Sequence, residues 1–190
     1  KNMSQYINGN LFKLITKASR QLNYDTYVVG GYVRDLLLER PSNDIDVVTV
    51  GSGIELARKT AALIDERKEV KYYGRFGTAM IRMKDKEIEF VGARKESYDP
   101  SSRKPFVENG TLEDDQNRRD FTINAMAISL NEDTFGTLVD PFNGVQDLQD
   151  KIIRTPLNPD VTYSDDPLRM MRAIRFATQL DFTIEKESFE

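Results

Sequence analysis

Gly30–Val50 reads GGYVRDLLLERPSNDIDVVTV. The apolar Tyr27-Val28-Val29 precedes it, so the unit is strand, Gly-Gly turn, short helix, turn and a β-branched strand. Asp44 and Asp46 stand two apart in that last strand. Residues i and i+2 of a strand share a face, which sends Ile45, Val47 and Thr49 to the other. Two carboxylates on one face repel each other, and a hard divalent cation with oxygen ligands offsets that repulsion. Asp44 and Asp46 are therefore candidate catalytic metal ligands, with Mg2+ as the cofactor. The two glycines allow a tight turn and close backbone approach. Amides at the start of a Tyr32–Glu39 helix can hold phosphate oxygens, which makes Gly31 a nucleotide-binding candidate. Arg34, one turn into the helix, adds a charge-assisted contact. Taken singly, D-x-D and Gly-Gly are ordinary turn chemistry. In this order, joined by one helix, they read as a phosphate cradle beside a metal site.

Composition narrows the chemistry. The 190 residues suffice for one large or two small domains. The chain has no histidine, which removes Ser-His-Asp and Cys-His catalysis and imidazole metal sites. It has no cysteine, which removes disulfides and thiolate zinc and fits a cytoplasmic protein. No run approaches membrane-span length, and no signal-peptide core is visible at the N-terminus. The net charge is −4, so contact with nucleic acid must come from local arginine clusters.

Outward from the organising unit, Tyr6–Leu22 has helical periodicity, and Ile54–Asp65 is a second amphipathic helix that Ser52 can cap. Strand, helix, strand, helix order predicts an α/β (α+β) domain, a small mixed sheet with helices on one side. Val70–Tyr73, Thr78–Lys84 and Glu87–Ala93 read as strands, with Gly74–Gly77 a loop. If the Glu87–Ala93 strand lies beside Asp44–Asp46, Glu89 is a candidate third catalytic carboxylate; otherwise it belongs to a solvated face. Arg94–Gln116 is polar and irregular and reads as a long loop, mobile around Asp99–Lys104.

Arg118-Arg119-Asp120-Phe121-Thr122-Ile123-Asn124-Ala125 follows. Two arginines at a helix start oppose the helix dipole, a placement that makes sense if they face an external anion. Asp140-Pro141-Phe142-Asn143-Gly144 is a turn before a short helix, Val145–Asp150, and a short strand, Ile152–Thr155.

The last motif is Asp165–Leu180, DDPLRMMRAIRFATQL, a helix that Ser164 or Asp165 can cap and whose apolar face is Leu168, Met171, Ala173, Ile174 and Ala177. Asp166, Arg169, Arg172 and Arg175 recur every three residues. On spacing alone this is a salt-bridged solvated face. The chemistry offers another reading. Adenine and cytosine each present an exocyclic amine beside an unprotonated ring nitrogen; a carboxylate accepts from the first and an arginine donates to the second. Asp166 and Arg169 could therefore select ATP and CTP without a template. Asp181–Glu190 enters a further helix near Glu185 that does not finish, so the sequence is expected to be part of a longer chain.

These motifs, four in order between Val28 and Phe176, resemble those of the DNA polymerase beta-type nucleotidyltransferase superfamily. More narrowly, the chain is similar to class II tRNA nucleotidyltransferases (CCA-adding enzymes) and bacterial poly(A) polymerases. The resemblance implies a head over residues 1–150 and the start of an all-α neck over 151–190, with Asp140–Gly144 as hinge. It implies that Glu89 completes the metal site, that Arg119 contacts the nucleotide and Asn124 the sugar, and that Arg172 and Arg175 line the nucleotide's other side or its triphosphate. It also implies Mg-dependent, protein-templated addition of CMP and AMP from CTP and ATP to an RNA 3′ end, most simply that of tRNA. The family's base-reading motif begins with Glu, where this chain has Asp165. The alternatives are an ATP-only A-adding enzyme or poly(A) polymerase, and a non-catalytic nucleotide- or RNA-binding module. Oligomeric state is open at this stage.

Overall fold

The computed structural model describes residues 1–40, 42–73, 77–97, 106–158 and 168–185. Within them the order is α1 (Asn10–Leu22), β1 (Thr26–Val29), α2 (Gly31–Leu37), β2 (Asp44–Thr49), α3 (Gly53–Ile64), β3 (Lys71–Tyr73), β4 (Thr78–Arg82) and β5 (Glu87–Gly92). There follow β6 (Arg94–Ser97), β7 (Phe106–Asn109), α4 (Leu112–Asn117), β8 (Ala127–Ser129), β9 (Leu138–Val139), α5 (Gly144–Asp150), β10 (Ile152–Ile153), α6 (Leu168–Leu180) and β11 (Thr183–Ile184).

Seven strands form one mixed sheet in the order β3-β4-β5-β2-β1-β8-β9. β2 and β5 run parallel, with Asp46 opposite Glu89, while β1 pairs antiparallel with both β2 and β8. The alternation in β2 sorts its side chains as expected. Ile45 and Val47 enter the main core with Phe12 and Ile15 of α1, Val33 of α2 and Leu56 of α3. Asp44, Asp46 and Val48 take the other face, where Val48 joins a small cluster with Val29, Ala93 and Ala127. Helices α1, α2 and α3 thus cover one face; the carboxylates stand on the other, where Leu112 of α4 packs against the small cluster. Ser52 caps α3, its side chain accepting from Glu55 N at 3.2 Å, a contact of about 1 kcal/mol.

Four expectations are corrected. The first helix starts at Asn10 rather than Tyr6, because Asn8-Gly9 interrupts it and Gly9 is its extended N-cap. Arg94–Gln116 is not one irregular loop. β6 and β7 pair antiparallel and α4 follows, with Thr111 and Asp114 forming a reciprocal capping box. These strands carry Arg94-Lys95-Glu96 and Val107-Glu108-Asn109, with no apolar alternation to betray them. Arg118 and Arg119 follow the C-terminus of α4 instead of starting a helix, so they agree with its dipole. On α6, Ala173, Phe176 and Leu180 are buried against Phe121, Leu148 and Ile153, whereas Leu168, Met171 and Ile174 of the expected apolar face are exposed. Two apolar stripes run along this helix, and periodicity alone does not say which one the partner elements take. β11 pairs in parallel with β10. Gly74–Phe76, Asp99–Lys104, Ser164–Pro167 and the final helix lie outside the described residues.

Candidate active site

The site is built around the Gly30 turn. Gly30 has φ +73° and ψ −141°, a conformation essentially restricted to glycine. A Cβ there would lie 3.1 Å from Arg119 Nη1 and 3.7 Å from Asp46 Oδ2. The bare turn is what lets an arginine from the end of α4 and a carboxylate from β2 meet at the start of α2. Between them opens a cavity of about 310 Å³ lined by Gly30, Gly31, Arg34, Asp46, Arg118 and Arg119, with Asp120, Asn124, Arg169, Arg172 and Phe176 on its far wall. Five arginines and two aspartates face this space, an excess of positive charge suited to a polyanion.

The arginines are held from behind. Asp115 of α4 is fully buried and accepts from Arg118 Nη2 at 2.7 Å and from Arg119 Nε and Nη2 at 3.1 and 2.9 Å. Burial pushes the Asp115 carboxyl up, but the two guanidiniums and their hydrogen bonds outweigh it and hold it below the usual carboxylate range. Arg34 Nη1 donates to Asn124 Oδ1 at 2.8 Å, and Asn124 Nδ2 donates to Asp120 Oδ1 at 3.2 Å. Asp120 Oδ2 lies 2.9 Å from Arg172 Nη2. This chain of contacts links α2 to α6. Arg169 Nη2 donates to the Arg118 carbonyl at 2.8 Å. Phe176 packs edge-on to Phe121 and carries the guanidiniums of Arg34, Arg172 and Arg175 within 5.4–5.6 Å of its ring centre.

Of the residues singled out from sequence, Gly31, Arg34, Asp46, Arg119, Arg169 and Arg172 line one cavity. Arg175 lies against Phe176 and is not part of the lining. Asp166 lies outside the described residues. Asp44 is exposed at the start of β2, on the face of Asp46, and Glu89 is the register partner of Asp46 on β5. Burial pushes the Asp46 carboxyl up; Arg119 pulls it down and Asp44 raises it further. Glu89 is raised by burial and by Asp46, and lowered by Arg119. Among the described residues no three such groups converge as a ready-made metal cluster. Asp44, Asp46 and Glu89 nonetheless offer only oxygen donors from one sheet face, with ionisation of Asp46 and Glu89 disfavoured. That donor set fits a hard divalent cation.

Sequence reasoning missed Asp115 and Phe176. The i−3 and i−4 spacing of Asp115 from the arginine pair was the available signal for the first. Asp140, read from sequence as part of a turn, has two oxygens that accept from Gly144 N at 2.7 Å and Val145 N at 3.0 Å and anchor α5.

A glycine turn, a carboxylate strand and an arginine-walled cavity stand together on one mixed sheet of an α/β domain. Comparison with known proteins makes this specific. Residues 26–154 match the poly A polymerase head domain. The chain is 44% identical over 162 residues to the A-adding tRNA nucleotidyltransferase of Aquifex aeolicus, covering 85% of this chain and 19% of that protein. It is 38% identical over 186 residues to the CCA-adding enzyme of Enterococcus faecalis, covering 94% and 43% respectively. It superposes with a TM-score of 0.79, at 38% identity, on a tRNA nucleotidyltransferase complexed with a primer tRNA and an incoming ATP analogue, covering 92% of this chain and 47% of that one. The chain belongs to the poly A polymerase head-domain family, the class II nucleotidyltransferases. It spans less than half the length of these relatives. Among the described residues no helix is long and apolar enough to cross a membrane.

Proposed function

We propose that this chain is the catalytic head of an RNA nucleotidyltransferase that adds CMP and AMP from CTP and ATP to the 3′ end of tRNA. The carrying observation is the arginine-walled cavity that opens on the Gly30 turn beside Asp46. In the reaction, the RNA 3′-hydroxyl oxygen forms a bond to the α-phosphorus of the nucleotide. The bond from that phosphorus to the β-phosphate oxygen breaks, pyrophosphate leaves, and the hydroxyl proton passes to solvent. Arg34 and Arg119, with the amide of Gly31, hold the phosphates and receive the charge that develops on the leaving pyrophosphate. Asp166 and Arg169 read the base edge, and Arg172 and Arg175 flank the nucleotide. Asp44, Asp46 and Glu89 would hold Mg2+, which when bound supplies charge neutralisation and an acidified hydroxyl.

Residues 1–150 form the head in this reading and 151–190 begin the neck; the large sheet and the helices on its core face all precede residue 150. A cytoplasmic location, read from the cysteine-free composition, belongs to the same proposal. A second reading, A addition alone, is favoured by one observation: A-adding enzymes and CCA-adding enzymes both stand among the relatives, at 44% and 38% identity. Pyrophosphate release from each of the four nucleotides, on tRNA lacking CCA and on tRNA ending in CC, tests both. Release from CTP on the first acceptor and from ATP on the second supports CCA addition, release from ATP on the second alone supports A addition, and release with neither acceptor rejects the catalytic reading.

A further inference from the structure

The strand register lays out a surface that the nucleotide cavity does not use. One row of residues crosses the sheet: Lys71 on β3 opposite Met80 on β4, Met80 opposite Glu89 on β5, Glu89 opposite Asp46 on β2, and Asp46 opposite Val29 on β1. Directly opposed residues share a face. Ala79 and Ile81 of β4 are in the main core, so Met80 and Arg82 face the same side as the carboxylates. On that side a groove of about 420 Å³ is lined by Arg67, Lys68, Glu69, Lys71, Met80 and Arg82. Four cations against one carboxylate gather there in a chain whose net charge is −4. Arg82 is shared with Glu87 at 2.8 Å, both groups being exposed.

The carboxylates therefore stand between two basic regions. At the β1 end the Gly30 turn leads into the arginine cavity; at the β3 end lies this groove. With strands about 4.8 Å apart, Lys71 is about 14 Å from Asp46 along the row. Phosphoryl transfer is roughly in line, so the attacking oxygen enters opposite the leaving pyrophosphate. If the arginine cavity receives the pyrophosphate, the acceptor strand must approach from the β3 side.

We propose that the β3–β4 groove holds the phosphodiester backbone of the acceptor RNA just upstream of its 3′ end, with Lys68 and Lys71 as phosphate contacts. This rests on the nucleotidyltransferase reading above. Backbone contact carries no base information, so the groove accepts any terminal sequence as it is extended. Tyr73, half-exposed and two residues from Lys71 on the same face, borders the track.

The test is binding of a short fluorescent single-stranded RNA to the chain across a salt series, with ATP binding in parallel. The Lys68→Glu/Lys71→Glu double variant is expected to bind RNA at least tenfold more weakly. Its slope of log affinity against log salt should be shallower by about 1.4, the value for two single-strand phosphate contacts. ATP binding should be unchanged. Lys13→Glu/Lys17→Glu, on exposed positions of α1 at the opposite face, makes the same change in net charge and is expected to leave RNA binding within about twofold. An unchanged RNA affinity in the groove variant, or an equal loss in the α1 variant, overturns the assignment. So does a parent chain that binds ATP but no RNA, and that outcome leaves the nucleotide site standing. A parent chain that binds neither overturns both readings.

Discussion

One oxygen of the Asp115 carboxylate accepts both Nε and Nη2 of Arg119, at 3.1 and 2.9 Å, and leaves Nη1 of the same guanidinium beside Gly30. A fully buried acid thus fixes the direction in which an arginine presents itself to the cavity. Removing one partner of a buried ion pair leaves the others uncompensated. Asp115→Ala is expected to cost about 3–5 kcal/mol of stability, read by urea unfolding. A loss below about 1 kcal/mol, the range of exposed pairs, would show that the pair is solvated.

The same residue gives a pH dependence. Asp115 is held below its ordinary value in the folded chain. Its contribution is therefore fully present above the unfolded value of about 3.9 and is lost as pH falls through the lower, folded value. The melting temperature of the parent should fall more steeply than that of Asp115→Asn below about pH 4. Parallel curves for the two proteins would contradict the assignment.

Asn124 joins Arg34 to Asp120, and through it to Arg172. Asn124→Ala removes the acceptor that orients Arg34. A hydrogen bond to a charged group contributes about 1.5–3 kcal/mol, so nucleotide affinity should drop about tenfold or more. Calorimetric titration with ATP checks this, and the effect should vanish in an Arg34→Ala background, where there is no guanidinium left to orient.

Gly30→Ala should be damaging twice over. Its backbone conformation costs a non-glycine residue about 1–3 kcal/mol, and the new Cβ would stand 3.1 Å from Arg119 Nη1. Both the melting temperature and nucleotide binding are expected to fall. A variant that melts normally and binds ATP normally would mean that the turn relaxes without moving Arg119.

The strand carrying Asp44 and Asp46, the glycine turn and the helix α3 were legible because each obeys a local rule: period-2 alternation, turn chemistry and a serine cap. The β6–β7 hairpin was not legible, since charged residues fill both strands and pairing with each other is what orders them. The arginine pair was found, but its helix was placed on the wrong side. With α4 preceding them, the arginines sit at a helix C-terminus, where their charge agrees with the dipole. Asp115 escaped notice because a carboxylate in a Glu-Asp-Asp run looks solvated until the fold buries it. The sequence pattern on α6 holds two apolar stripes, and only the position of Phe121 and Leu148 shows that Phe176 is the buried one.

In the proposed reading the cavity between the Gly30 turn and the arginine pair is the nucleotide site, with Asp46 at its metal-binding edge. Titration of ATP into the parent, Arg119→Ala and Asp46→Asn chains, each with and without Mg2+, tests it most directly. The parent is expected to bind ATP more tightly with Mg2+. Arg119→Ala is expected to lose about tenfold or more in both conditions, and Asp46→Asn to lose the Mg2+ enhancement while still folding. Equal ATP affinity in all three chains, with the Mg2+ effect intact, would contradict it.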